Sequence, residues 1–135
     1  MEHHKSTFQR AFAHLYYLML SADKIADLNE LELGNKIIAL ENLDKTEVMK
    51  DLDLLSAVPR NEALKDCIDL LKSISRKEQQ KCLAYVKLIA NADGSYDDSE
   101  SDLLNEIGTN ELNILPSEIR DIERELKQRI SEIEG

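Results

Sequence analysis

Apolar residues recur at helical spacing from one end of the chain to the other. Phe8, Ala11, Phe12, Leu15, Leu18, Met19 and Ala22 form one stripe, which predicts a first helix from about Lys5 to Ser21. A second follows Asp27 and carries Leu33, Ile37 and Leu40 inward. "DKTE", with Asp44 and Glu47 at capping-box spacing, opens a third that buries Val48, Leu52 and Leu55. Pro59 restarts the chain for a fourth helix, ending near Ile74, and a second capping box, "SRKE" (Ser75 to Glu78), opens a fifth that reaches Ala92. A sixth spans roughly Asp98 to Ile107. Pro116, a favoured first-turn residue, starts the seventh, with Ile119, Ile122, Leu126, Ile130 and Ile133 on one face. No segment alternates as a strand would, so the expected fold is all-α: a compact bundle of about seven helices with short connections.

Residues 16–37 align with residues 86–107 without a gap. Leu18, Ala22, Asp23, Asp27, Glu30, Leu33 and Ile37 match Leu88, Ala92, Asp93, Asp97, Glu100, Leu103 and Ile107 identically, and Glu32 pairs with Asp102. Each copy reads as helix, Ala-Asp, short acidic loop, helix. Shared helix-loop-helix physics explains the apolar matches but does not demand Asp four residues after the Ala-Asp aspartate and Glu seven after it. The pattern therefore suggests duplication and an internal pseudo-two-fold repeat. A single domain over residues 1–135 is expected, with halves at about 5–43 and 75–113, linking helices in 44–74 and a C-terminal helix at 116–134.

The composition fits this picture. Only four Gly and two Pro interrupt the chain, aromatics are few, and Leu, Ile, Glu, Lys and Ala dominate, which favours helices over strands. The formal charge of −10 removes the counterion-release drive for nucleic acid binding and disfavours anionic membrane surfaces. No apolar run reaches membrane-spanning length, and "MEHHKSTFQRAF" lacks the apolar core of a signal peptide, so a cytoplasmic protein without direct membrane insertion is expected. Cys67 lies in the series Leu64, Cys67, Ile68, Leu71 and Cys82 in the series Cys82, Tyr85, Val86, Ile89, so both are expected in the core.

The motif Ala-Asp-Gly, a few residues, then Glu and Leu, here "ANADGSYDDSESDLL" (residues 90–104) and in weaker form "LSADKIADLNELEL" (residues 20–33), resembles the TerB-like domain of tellurite resistance proteins. Related domains occur in membrane-anchored DnaJ-like chaperones. The resemblance covers essentially the whole chain. It implies an all-α fold of two pseudo-symmetric halves, metal binding through the acidic residues, and a role in stress-response assemblies. One departure matters: Lys24 stands where the second copy has Gly94, which weakens the cation case in the first half.

The acidic residues admit two readings. The loop is not an EF-hand, because a register from Asp93 puts Asp98 at position 6 and Leu104 at position 12, and one from Asn91 puts Tyr96 at position 6. Asp27 and Glu30, like Asp97 and Glu100, are spaced N-cap to N3, so helix capping accounts for two of the three repeated acids. Asp23 and Asp93 close long helices, where the dipole disfavours a negative charge, and need compensation. A helix N-terminus from the other half, Lys24 or a nearby Arg would supply it as an interhelical lock. So would a divalent cation held by Asp23, Asp27 and Glu30 or, preferably, by Asp93, Asp97 and Glu100. An oxygen-only donor set suits Ca²⁺, Mg²⁺ or Mn²⁺ better than Zn²⁺, since neither loop contains His or Cys.

Other signals are weaker. His3 and His4 read as a terminus or tag remnant, His14 as a packing residue, and Tyr16, Tyr17, Tyr85 and Tyr96 as helix-packing aromatics or the rim of a groove. No phosphate-binding Gly-rich loop or nucleophile motif is present, so a non-enzymatic protein-interaction module is expected, with a purely structural or adaptor bundle as the alternative and, behind both, an uncharacterised enzyme that would need a concave pocket around the acids. The last helix mixes charges of both signs around its apolar stripe and could serve a homodimer.

Overall fold

The helix boundaries have local causes that can be named residue by residue. The computed structural model describes residues 7–21, 28–91 and 98–134. Its helices are α1 (Thr7–Leu20), α2 (Leu28–Leu40), α3 (Lys45–Leu55), α4 (Arg60–Lys72), α5 (Arg76–Ala90), α6 (Asp98–Asn105) and α7 (Pro116–Glu134). Among the described residues there is no strand.

At the start of α5 the expected capping box is complete: the Glu78 amide donates to Ser75 Oγ at 3.2 Å, and the Ser75 amide donates to Glu78 Oε1 at 3.3 Å. At α3 only half of the expected box forms. The Glu47 amide donates to Asp44 Oδ1 at 3.1 Å, but the Asp44 amide donates to Gln9 Oε1 on α1, at 2.9 Å. A buried residue of another helix thus does what Glu47 was expected to do. At the end of α2, Asn42 adopts the left-handed conformation (φ 60°). The amides of Leu43 and Asn42 donate back to Ile38 and Ala39 at 2.9 and 3.2 Å, a Schellman stop with Asn in the place Gly usually takes. Arg60, the first residue of α4, donates to Leu18 O at 3.2 Å and to the Ser21 hydroxyl, so a cation closes the negative end of α1.

The sixth helix differs from expectation. The α-helix ends at Asn105, close to the expected Ile107, but the chain then continues as a wider π-helical stretch, Glu106–Glu111, closed by Leu112 N–H donating to Ile107 O at 3.0 Å. The wider turn brings Ile107 and Leu112, five residues apart and both buried, towards the same side.

One core joins all these elements. α1 is buried on nearly every side, through Ala11, Phe12, Ala13, Leu15, Tyr16, Leu18 and Met19, and packs on α3, α4 and α5. α5 is equally enclosed and packs on α1, α2 and α7. The aromatic rings meet between them: Phe12 stacks on Tyr16 at 5.5 Å, and Tyr85 meets Phe8 and Phe12 edge-on, each at 6.5 Å. Cys67 and Cys82 are buried and free, and burial pushes both thiols well above their ordinary range, as expected of core residues. The described helices keep the spacing of the sequence alignment. α1 and α5 end at Leu20 and Ala90, and α2 and α6 begin at Leu28 and Asp98.

α7 lies on α5 through Ile119, Ile122 and Leu126, with charged contacts along its edges. Arg76 meets Glu118 at 2.7 Å and Lys87 meets Glu123 at 3.8 Å. At the far end Arg129 reaches Glu41, beyond the end of α2, at 3.3 Å.

The intact box at α5 sets an expectation. Ser75→Ala should lower stability by about 1 kcal/mol, read as a shift in the urea midpoint with an unchanged slope.

Candidate functional site

Of the six acids predicted to hold a cation, Asp23, Asp27, Asp93 and Asp97 lie outside the described residues, and the side chain of Glu100 on α6 does too. Glu30 is described, and it is not a surface cap. It sits in the first turn of α2 with only 2% of its surface exposed. A carboxylate is rarely so buried unless its charge is met by donors or a cation.

The packing around α2 explains how Glu30 is drawn inward. Tyr16 projects from α1 against the α2 backbone, and its hydroxyl donates to the Glu30 carbonyl at 3.5 Å. The approach is possible because residue 34 is Gly: a β-carbon there would overlap the Tyr16 hydroxyl and stand 2.6 Å from Cζ. The phenol is pushed up to about 12, first by burial and then by the negative charge of Glu30. Tyr16, Glu30 and Gly34 therefore form a fixed inner wall, and Glu30 lies three residues beyond the end of the first acidic loop. Among the described residues no group of three or more His, Cys, Asp or Glu side chains is placed to hold a metal.

One other polar cluster, and two single buried polar residues, were not foreseen. Glu41 accepts from Arg129 and pairs with Lys81 at 3.7 Å, and the Tyr85 hydroxyl is bonded to the same carboxylate. Burial, that bond and the Glu41 charge together push the Tyr85 phenol far upward. Asp51, on α3, is buried within the stripe that holds Val48 and Leu55. Its position was visible in the sequence as an acid three residues after one core position and four before the next. Gln9 shows the same signal, three residues before Phe12 and seven before Tyr16.

His14 lines an open groove between α1 and α4 with Arg10, Asp66, Asp69, Leu70 and Ser73. Its Nδ1 is 2.9 Å from the Arg10 carbonyl, which suits a packing residue. Burial lowers its pKa below the usual 6.5, against the opposing pull of the Arg10 carbonyl and of Asp51 and Asp66. The Ser73 hydroxyl donates to Leu70 O at 2.7 Å and is committed to its own helix end. Of the tyrosines proposed for a groove rim, Tyr16 and Tyr85 are buried in the core, Tyr17 is half-buried, and Tyr96 lies outside the described residues.

Fold and inner wall together define an all-α domain built around two enclosed helices. The family model described as "Tellurite resistance protein TerB" matches residues 9–124. The chain belongs to the TerB family. No curated protein and no solved structure matches the chain.

Two outcomes follow from this geometry. Gly34→Ala should destabilise the fold by about 1–3 kcal/mol, because the Tyr16 ring is held by α1 and cannot retreat, and thermal or urea unfolding will read it. For His14 the folded pKa is depressed, so the unfolded chain takes up the proton first as pH falls below the ordinary 6.5. Its contribution is therefore complete above that pH and is lost as pH falls through the lowered value. The stability–pH curve of His14→Gln should lack this part of the slope.

Proposed function

We propose that the chain is a non-catalytic TerB module that binds protein partners in a cytoplasmic stress response, with divalent cations held at its two acidic loops. The observation that carries the reading is the burial of Glu30: the acid at the inner edge of the first loop turns into the protein, where an oxygen ligand of an enclosed cation would be. The donor set would be Asp23, Asp27 and Glu30 in one loop and Asp93, Asp97 and Glu100 in the other, all oxygen and suited to Ca²⁺, Mg²⁺ or Mn²⁺. The absence of Gly at residue 24 makes the second loop the stronger of the two. No helix among the described residues is long and apolar enough to cross a membrane, which is compatible with the proposed location. The charge of −10 directs the search for partners towards proteins rather than nucleic acid.

The same burial supports a second reading, in which Glu30 and its counterparts are folding devices that lock helix ends together without metal. Thermal unfolding of EDTA-stripped protein separates the two. The chain is titrated with Ca²⁺, Mg²⁺, Mn²⁺ and Zn²⁺ beside an Asp93→Asn/Glu100→Gln variant. At a hundredfold excess over Kd, an oxygen-ligand site should add about 2.7 kcal/mol in the wild type and nothing comparable in the variant. Small equal shifts in both would be screening of a −10 chain and would leave the locks as the function of these acids.

A further inference from the structure

We draw no further inference here: the strongest candidate, the open apolar groove between α1 and α3 lined by Tyr17, Leu20, Met49 and Leu52, is an unpartnered face, and nothing in the structure shows what covers it.

Discussion

The close approach of Tyr16 to the α2 backbone at Gly34 is the constraint on which the functional half of the molecule depends. A large ring from the enclosed helix α1 reaches the face of α2 only because residue 34 carries no side chain. That contact fixes how deep α2 sits, and α2 carries Glu30 inward with it. The acid at the edge of the first loop is thus positioned from the core outward, by sterics, before any ligand or partner is considered. Burial and charge then act on each other, since the same proximity that encloses the carboxylate raises the phenol.

A second organising feature is the use of polar side chains from one helix to finish another. Gln9 of α1 completes the cap of α3, Arg60 of α4 closes α1, and Arg129 of α7 donates to the Leu40 carbonyl at the end of α2. Each bond satisfies a group that a helix end leaves open, and each ties together segments far apart in sequence. Helix termination and tertiary packing are here one set of interactions.

The elements of the fold were legible in the sequence wherever one helix carried its own signals. Ser75 and Glu78, Pro116, and the apolar stripes of α1 and α7 placed helices within a few residues of where they lie. Legibility failed where the determining partner was remote. Glu47 was expected to complete the α3 box, but Gln9 does so, and no local pattern could reveal a residue so far upstream. The π-helical widening after Asn105 was missed because Ile107 looked like a last core position. The wider turn that keeps Leu112 near it is a three-dimensional choice. Buried Asp51 and Gln9 were readable as polar residues on apolar stripes, yet pattern reading discounts such residues as noise. For the candidate site, the matching acids of residues 16–37 and 86–107 were visible at once, but the burial of Glu30 was not. It depends on Gly34, and nothing in the sequence singles that glycine out as the partner of a tyrosine on another helix.

The Glu41 cluster ties the last turns of α7 to the end of α2. The family match ends at residue 124, yet Leu126 completes the apolar face of α7 and Arg129 supplies one of the charges around Glu41. A chain trimmed to the matched span would uncover part of α5 and leave a mostly buried acid short of a cation. The last turns of α7 are thus part of the folded core rather than an appendage to it.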